Sequence, residues 1–197
     1  RCMCPAHTAQ GSCANGEWAR AALVLQAAVS AARHEASFLG TRSLEGWSGG
    51  GEPWAIASGT ATPPASGGSL RWESGSFEAG ELMSHMWVKR GSAGLRYGLS
   101  GPTEDGFELR IDADAKRISL IKRTNGTEKT LESGHLLPPH LGAWHRLSVR
   151  VEEGIHRVSN HGQPVMVVYD NDWPGAEVGI FATAGADVHV SDVAVTD

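Results

Sequence analysis

The fold is decided by residues 142–165, which read GAWHRLSVRVEEGIHRVSNHGQPV. Apolar and polar side chains alternate from 147 to 151, and this two-residue period indicates a strand with one buried face. Glu153-Gly154 and Asn160-His-Gly162 are turn signals, because glycine supplies the positive φ that a tight hairpin needs. The stretch is therefore predicted to form short antiparallel strands joined by tight turns.

The same pattern extends along most of the chain. Residues 107–112 alternate Phe, Leu and Ile with Glu, Arg and Asp, and the segment from Val165 to Tyr169 is apolar on both phases, which predicts a central strand. The 25 glycines are scattered between the apolar runs, as turns would be. About ten to a dozen short strands at this spacing predict an all-β, two-sheet antiparallel sandwich.

The front of the chain has a different period. Between Gly16 and Leu39 apolar residues recur at intervals of three and four, which predicts a helix that Asn15 caps and Gly40 ends. The expected organisation is a cysteine-bearing helical segment at 1–40 and a sandwich domain at 41–197.

All three cysteines, Cys2, Cys4 and Cys13, lie in the first thirteen residues. A disulfide within this segment is the simpler interpretation, with one cysteine left to pair elsewhere; the alternative is a metal site completed by His7. Asn125-Gly-Thr127 is a glycosylation sequon in a predicted turn. With a chain that begins at Arg1, these features predict a secreted or extracellular glycoprotein that is part of a larger or processed protein.

Charge and hydropathy argue against two classes of partner. The net charge is −5, and the basic residues occur as pairs rather than patches, so a nucleic-acid partner is not expected. No apolar run approaches the length of a membrane span, so membrane insertion is not expected either.

Several motifs after residue 68 resemble, in the correct order, the concanavalin A-like lectin/glucanase superfamily, and particularly its laminin G-like branch. The residues that carry the resemblance are Gly106–Asp112, Gly142–Arg150, Val158–Val165, Pro174–Ile180 and Val190–Val195, together with Ser92–Arg96. The resemblance implies a jelly-roll sandwich with any ligand site on its concave sheet. It specifies the fold better than the function, because most of these residues shape hairpins and core.

Polar residues on the predicted strands are the candidates for that ligand site. Glu108 and Arg110 share one face by alternation, and the resemblance implies that Arg96 lies on a neighbouring strand. Arginine and carboxylate can bind sugar hydroxyls, and Trp87 could stack on a pyranose face. The alternative is an ordinary ion pair between strands on a solvated face.

Two metal sites were weighed. Asp170-Asn171-Asp172 is an oxygen-rich turn that could bind calcium, with Asp187 or Asp192, although such clusters also form plain turns. Histidines recur at intervals of five, at 135, 140 and 145 and at 156 and 161. That interval does not bring two imidazoles together on a strand, so a transition-metal site is not predicted.

The superfamily's glycanases use two carboxylates in a pattern such as Glu-x-Asp-x-x-Glu, which this sequence lacks. The predicted function is therefore a non-catalytic recognition module that binds a glycan or a glycosylated partner on the concave sheet. The alternative is a protein-assembly domain that uses the helical segment and the sandwich surface. A glycan-processing enzyme with an unrecognised site is the least favoured hypothesis.

Overall fold

The computed structural model describes residues 33–38, 44–136 and 142–196. These residues belong to one compact unit and form two antiparallel sheets without a helix in the described ranges. The strands are β1 (Arg33–Ser37), β2 (Trp47–Ser48), β3 (Ala55–Ala57), β4 (Thr60–Thr62), β5 (Gly68–Ser76), β6 (Gly80–Arg90), β7 (Ser92–Ser100), β8 (Asp105–Asp112), β9 (Arg117–Thr124), β10 (Thr127–His135), β11 (Trp144–Glu152), β12 (Ile155–Asn160), β13 (Gln163–Tyr169), β14 (Glu177–Ala182) and β15 (Asp187–Thr196). The all-β antiparallel sandwich is thus confirmed.

The two sheets have different sizes and strand orders. The eight-stranded sheet runs β13-β12-β11-β6-β15-β4-β3, and β1 pairs with β15 outside this path. The seven-stranded sheet runs β10-β9-β8-β7-β14-β5-β2. Strands that are distant in sequence, such as β7 and β14, therefore become neighbours, and their side chains meet only in the folded chain.

Three hairpins are built on the turn signals of the sequence. Asn125-Gly126, Glu153-Gly154 and His161-Gly162 each connect two strands as a two-residue loop, and both residues of each loop have positive φ. This is the type I′ turn, whose twist matches that of the flanking strands. The hairpins keep consecutive strands adjacent and in register, so the pairs β9–β10, β11–β12 and β12–β13 follow from local sequence.

The core lies between the sheets. Leu95, Leu109 and Leu120 project inward from the seven-stranded sheet, and Leu82 and Val149 do so from the eight-stranded sheet; all five are fully buried. A fully buried Leu or Val stabilises the fold by about 1.5–3 kcal/mol relative to an exposed one. Alternation along each strand then directs the intervening polar side chains to the two outer faces.

Two predictions about the elements were wrong. The end of the predicted helix, Arg33–Ser37, is strand β1, because its backbone pairs with β15 in the sandwich. The segment from Val165 to Tyr169 lies in β13, an edge strand rather than a central one, and Val167 and Tyr169 are exposed. Apolar composition cannot distinguish an edge from a centre, since that depends on which strands pair.

The remaining predictions about the front of the chain lie outside the described residues. These are the helix before Arg33, its protein partner, and the pairing or metal binding of Cys2, Cys4 and Cys13. The domain boundary after residue 40 stays a prediction, although β1 lies before it and already pairs within the sandwich. Within the described ranges, no helix has the length and apolar character to cross a membrane.

Candidate functional site

The outer face of the seven-stranded sheet carries a row of charged side chains. Arg96 on β7 lies between the buried Leu95 and Tyr97, so alternation directs its guanidinium away from the core. Its register partner on β8 is Glu108, which lies between the buried Phe107 and Leu109 for the same reason. The two opposite charges are therefore neighbours on one face of the sheet.

Glu108 is enclosed by three guanidinium groups. Arg96 Nε donates to its Oε2 at 2.8 Å, Arg110 Nε donates to its Oε1 at 2.5 Å, and Arg123 Nη1 lies 3.5 Å from Oε2. The Glu108 side chain has 0% exposure. Burying a carboxylate without partners costs a large amount of free energy, and the three arginines offset this cost for Glu108.

Glu128 extends the cluster towards the sheet edge. Arg110 Nη2 donates to one of its carboxylate oxygens at 2.9 Å, and Arg123 Nη1 donates to the other at 2.5 Å. Glu108 and Glu128 thus share the same two arginines, although Glu128 is far more exposed. This sharing fixes the orientation of both guanidinium groups across strands β8, β9 and β10.

Glu104 enters the face from the loop between β7 and β8. Its carboxylate pairs with Arg96, accepts a hydrogen bond from Ser69 Oγ at 2.8 Å, and lies 3.5 Å from Arg71 Nε. The backbone of Glu104 has φ 51°, which is uncommon for a residue other than glycine. The loop therefore adopts a left-handed conformation where it presents this carboxylate between two arginines.

Arg71 on β5 continues the row at the other side of the face. Its Nη1 donates to Glu177 on β14 at 2.9 Å, and its Nη2 donates to the Gly101 carbonyl at 2.8 Å. We call the whole cluster the arginine–glutamate network; it consists of Arg71, Arg96, Glu104, Glu108, Arg110, Arg123, Glu128 and Glu177.

An aromatic ring supports the network from below. Phe181 on β14 is buried, with the guanidinium carbon of Arg96 4.6 Å and that of Arg110 5.6 Å from its ring centroid. Cations over an aromatic face are attracted to it, most strongly when water is excluded. Phe181 thus helps to hold two arginines in place, and being buried, it is not itself available for stacking on a ligand.

The structure brings together three of the four predicted ligand-binding residues, Arg96, Glu108 and Arg110. Trp87 is not with them, because β6 belongs to the eight-stranded sheet. Its indole projects from that sheet's outer face, where Nε1 donates to the Gly142 carbonyl at 2.7 Å and the ring lies 5.2 Å from that of His189. The prediction that Trp87 flanks the same site is therefore wrong.

Sequence reasoning also missed members of the network, above all Glu104. That residue lies in a loop near Pro102, so strand alternation does not apply to it. Arg71 and Glu177 are polar residues on strands far away in sequence, and nothing local connects them to Arg96. Arg123 and Glu128 were within reach, since they flank the recognisable Asn125-Gly126 hairpin.

The predicted calcium ligands, Asp170 and Asp172, surround a lysine. Lys122 Nζ lies 2.8 Å from Asp170 Oδ1 and 2.9 Å from Asp172 Oδ2. Burial alone would raise the pKa of Asp170, but hydrogen bonds from Lys122 and from the backbone N–H of Asp172 lower it below the usual value. An ammonium group thus already pairs with both carboxylates, and calcium binding there stays a prediction.

A polar pair lies in the core beside this lysine. Nε2 of His156 donates to the Asp170 carbonyl at 3.0 Å, which leaves Nδ1 to accept from the Tyr97 hydroxyl at 2.9 Å. Burial lowers the pKa of His156, and the Lys122 charge acts in the same direction. Burial, reinforced by the charge of Asp170, raises the pKa of Tyr97. Both groups are therefore neutral at ordinary pH, as their buried position requires.

Two histidines come close despite their separation in sequence. The rings of His145 and His161 lie 5.9 Å apart, because the turn after β12 meets the start of β11, where the His161 N–H donates to the Arg146 carbonyl at 2.8 Å. In the ranges that the structure describes, no group of three histidine, cysteine or acidic side chains is arranged to hold a metal ion. The sequon residue Asn125 is exposed at the tip of its hairpin, with φ 52°.

Comparison with known structures identifies the architecture. The carbohydrate-binding module CBM66 from Bacillus subtilis superposes with a TM-score of 0.67 at 14% identity, covering 77% of this chain and 96% of that one. A β-glucanase from Bacillus licheniformis gives 0.66 at 12% identity, covering 84% and 98%. This chain has the fold of the concanavalin A-like lectin/glucanase superfamily. The catalytic domain of an endo-1,3-β-glucanase (laminarinase) from Thermotoga petrophila shares this concanavalin A-like fold, with a TM-score of 0.63 at 12% identity over 83% and 96%.

The searches by sequence found less: no protein-family model and no curated protein matches the chain. The laminin G-like branch within the concanavalin A-like fold accordingly stays a prediction. The similar structures do include a carbohydrate-binding module and glucanases, which supports a glycan partner in general terms.

The predicted function needs a correction. Several structures with this concanavalin A-like fold are enzymes by name, among them a transglycosylase, β-glucanases and a laminarinase. A fold shared with so many enzymes contradicts the prediction of a non-catalytic recognition module. The missing Glu-x-Asp-x-x-Glu pattern led the sequence reasoning away from an enzyme, but carboxylates from a loop and from distant strands can meet without any such pattern, as Glu104 and Glu177 do around Arg71.

Proposed function

We propose that the chain is a glycan-processing enzyme whose active site is the arginine–glutamate network. The observation that carries the proposal is the position of Arg71, which contacts two accessible carboxylates, Glu104 and Glu177. Their side chains are 20% and 53% exposed, whereas Glu108 has no exposure. A substrate on the sheet face can therefore reach Glu104 and Glu177 but not Glu108.

Cleavage of a glycosidic bond requires two carboxyl groups with different tasks. One protonates the leaving oxygen, and the other attacks the anomeric carbon or activates a water molecule. Glu104 is held by Ser69 and two arginines on a constrained loop; these contacts suit an anionic carboxylate, so it takes the role of the group that attacks or activates water, and Glu177 that of the proton donor. Glu177 lies at the start of β14 and is the partner carboxylate. Arg71 contacts both carboxylates and so orients them.

The rest of the network has a positioning role. Glu108 fixes Arg96 and Arg110 from beneath, so that the two guanidinium groups are held in a defined geometry on the face. Planar guanidinium groups held in this way are well suited to bind pairs of sugar hydroxyls. A rigid set of donors costs little reorganisation when the substrate binds.

The charge of the network indicates a neutral substrate. Its arginines and glutamates are equal in number and paired with one another, so the face presents no excess of either sign. A polyanionic glycan would require uncompensated cations. The β-glucanase and laminarinase among the similar structures support a neutral glucan as the first substrate to try.

We also propose that the protein is secreted. The Asn125 sequon supports this, since Asn125 is exposed at a hairpin tip. Expression through a eukaryotic secretory pathway, followed by mass analysis of the peptide containing Asn125, tests whether the site is modified. An unmodified peptide there would remove this support.

The enzyme proposal is tested with the full chain on β-1,3-glucan and on mixed-linkage β-1,3-1,4-glucan, with release of reducing ends as the readout. Glu104→Gln keeps the size of the side chain but removes the negative charge with which it would attack or activate water. We expect it to lower kcat by about 10²–10⁴-fold with little change in KM, as the loss of a general base does. Glu177→Gln is expected to lower kcat on a comparable scale.

The matched control is Glu152→Gln. Glu152 is also exposed and paired with arginines, Arg150 and Arg157, but it lies on the eight-stranded sheet. We expect it to retain full activity. The proposal fails if the wild-type chain binds these glucans without cleaving them, or if Glu104→Gln is as active as the wild type.

A further inference from the structure

The outer face of the eight-stranded sheet carries a row of aromatic rings. Trp87 on β6 is the register partner of Trp144 on β11 and of His189 on β15, so the three side chains lie side by side on one face. Trp144 is 45% exposed, and Trp87 and His189 are partly exposed. Solvent therefore reaches an aromatic surface that extends across three neighbouring strands.

A row of polar side chains lies next to the aromatic row. His85 lies two residues before Trp87 on β6, and its register partners are Arg146 on β11 and Asp192 on β15. A step of two residues returns to the same face of a sheet and advances about 7 Å along the strand. A ligand the size of a sugar ring can therefore contact both rows at once.

Asp192 fixes the orientation of His85. Its Oδ1 and Oδ2 lie 2.9 and 3.0 Å from His85 Nδ1, and its Oδ2 also accepts from Ser191 Oγ at 2.7 Å. Because a carboxylate only accepts, Nδ1 carries the proton, and Nε2 of the neutral ring is an acceptor. The His85 side chain is 41% exposed.

The acceptor of His85 is accessible. Nε2 has no hydrogen-bond partner among the described residues, and it is not one of their buried polar atoms that lack a partner. Solvent therefore reaches Nε2, and a bound molecule can reach it in the same way. The ring thus presents one oriented acceptor beside the aromatic row.

Arg146 supplies donors on the neighbouring strand. Its side chain is exposed, and within the described ranges its only hydrogen bond is from Nε to Met83 Sδ at 2.9 Å. The Nη groups can therefore donate to a ligand. The positive charge of Arg146 and the negative charge of Asp192 balance within the row, which favours a ligand without net charge.

These two rows together select a class of ligand. A pyranose ring has C–H groups on its faces, which pack against an indole, and hydroxyls at its edge, each of which both donates and accepts. The Nε2 acceptor of His85 and the Nη donors of Arg146 lie on adjacent strands, so they suit two neighbouring hydroxyls. An apolar ligand would leave both polar groups without a partner.

We propose that this surface binds a neutral glycan, with one sugar ring stacked on Trp144 and its hydroxyls bound by His85 and Arg146. We call it the tryptophan–histidine face; it consists of His85, Trp87, Trp144 and Arg146. It lies on the other sheet from the arginine–glutamate network and requires no catalysis. The proposal therefore goes beyond the proposed function and does not depend on it.

The test titrates the full chain with three hexasaccharides, of β-1,3-linked glucose, β-1,4-linked glucose and β-1,4-linked mannose. All titrations use the Glu104→Gln variant, so that the sugars stay intact if the wild type cleaves them. The indole N–H signals of Trp87 and Trp144 in the NMR spectrum report locally on the face. We expect saturable shifts of both signals with at least one of the three sugars.

Two substitutions then test the contacts separately, with the affinity taken from the Trp87 signal. Trp144→Ala removes the exposed indole and is expected to weaken binding at least about tenfold, which corresponds to about 1.4 kcal/mol. His85→Phe keeps an aromatic ring but removes the acceptor. We expect it to weaken binding about 2–10-fold, as the loss of one hydrogen bond does.

The matched control is Tyr169→Ala. Tyr169 is a 71% exposed aromatic residue on β13, the edge strand of the same sheet, and it lies outside the face. We expect it to bind as tightly as the parent chain. The proposal is overturned if none of the sugars shifts the two signals, or if Trp144→Ala binds with unchanged affinity. Absence of glucan cleavage by the wild type would remove the enzyme proposal and leave this titration unaffected.

Discussion

Arg96 and Glu108 face each other across strands β7 and β8, and the guanidinium Nε donates to the buried carboxylate at 2.8 Å. The register of the two strands makes this contact, and Glu104 then pairs with the same guanidinium from the loop between them. One arginine thus connects a buried carboxylate to an accessible one. Stability and activity are expected to depend on different members of this group.

Glu108→Gln and Glu128→Gln form the first prediction. Both carboxylates are bound by Arg110 and Arg123, but only Glu108 is fully buried. Removing the buried charge leaves three guanidinium groups with only Glu104 and Glu128 as partners, so we expect a loss of about 3 kcal/mol in the free energy of unfolding. Glu128→Gln breaks only exposed ion pairs, so we expect it to lower the free energy of unfolding by less than about 1 kcal/mol. Urea denaturation of both variants measures the difference, and equal losses would show that burial of Glu108 is unimportant.

Asp170→Asn and Asp172→Asn form the second prediction. Lys122 is bound by both carboxylates, but Asp170 is largely buried and Asp172 is mostly exposed. We expect Asp170→Asn to lower the free energy of unfolding by about 1.5–3 kcal/mol, as the loss of a hydrogen bond to a charged group does. Asp172→Asn should change it by less than about 0.5 kcal/mol. Thermal unfolding of the two variants measures these losses, and a larger loss for Asp172→Asn than for Asp170→Asn would contradict the burial of the Lys122–Asp170 pair.

The pH dependence of this pair has a defined sign. The pKa of Asp170 is lower in the folded chain than in the unfolded one. The stability it contributes is therefore fully present above the ordinary aspartate pKa and is lost as the pH falls through the folded value. In Asp170→Asn that part of the acid sensitivity should be absent, which a comparison of unfolding curves between pH 5 and pH 2 would show.

His156 is the basis of the third prediction. Burial lowers its pKa in the folded chain, so the unfolded chain binds the proton more readily. Stability should be complete above the ordinary histidine pKa of about 6.5 and decline as the pH falls below it, with a slope of at most about 1.4 kcal/mol per pH unit. His156→Gln cannot titrate and should lack this component.

The measurement is the free energy of unfolding of the wild type and of His156→Gln at a series of pH values between 7 and 5. The chain has nine histidines, so the difference between the two curves, rather than either curve alone, reports on His156. Parallel curves would mean that His156 is protonated equally well in both states, which its contacts with Tyr97 and the Asp170 carbonyl argue against.

Gly179→Ala is the fourth prediction. A Cβ at this position on β14 would lie 2.4 Å from the carbonyl oxygen of Leu70 on β5, and that backbone atom cannot move without shifting the strand. We expect a loss of about 1–3 kcal/mol in the free energy of unfolding. Gly50→Ala is the control, because a Cβ there meets nothing within 4 Å. Equal stability of the two variants would show that β5 and β14 approach less closely than described.

Local features of the chain were predictable because they depend on neighbours in sequence. The hairpins at Asn125-Gly126 and Glu153-Gly154 require positive φ at adjacent positions, and the glycine in each turn indicates this requirement in the sequence. Alternation likewise placed Glu108 and Arg110 on one face of β8 and directed the apolar side chains inward. The all-β class and the hairpin pairs follow from these features alone.

Non-local features were decided by strand pairing. Alternation shows that Trp87 and Arg96 both point away from a core, but it does not show that β6 and β7 belong to different sheets. Only a single residue, Gly91, separates these two strands, yet their polar side chains project from opposite outer faces of the sandwich. Reasoning from the sequence one strand at a time therefore places Trp87 and Arg96 on the same face, although the structure separates them.

By itself, the sequence determined that the chain after residue 68 is built of strands, where the tight turns lie and which side chains of a strand share a face, since all of these depend on φ/ψ preferences and a two-residue period. The tertiary structure alone decided that Arg33–Ser37 is a strand, that Trp87 is remote from Arg96, and that Arg71, Glu104 and Glu177 meet. These outcomes arise from pairing between distant segments, such as β14 with both β5 and β7, whose free energy is gained only when the two sheets close over a common core.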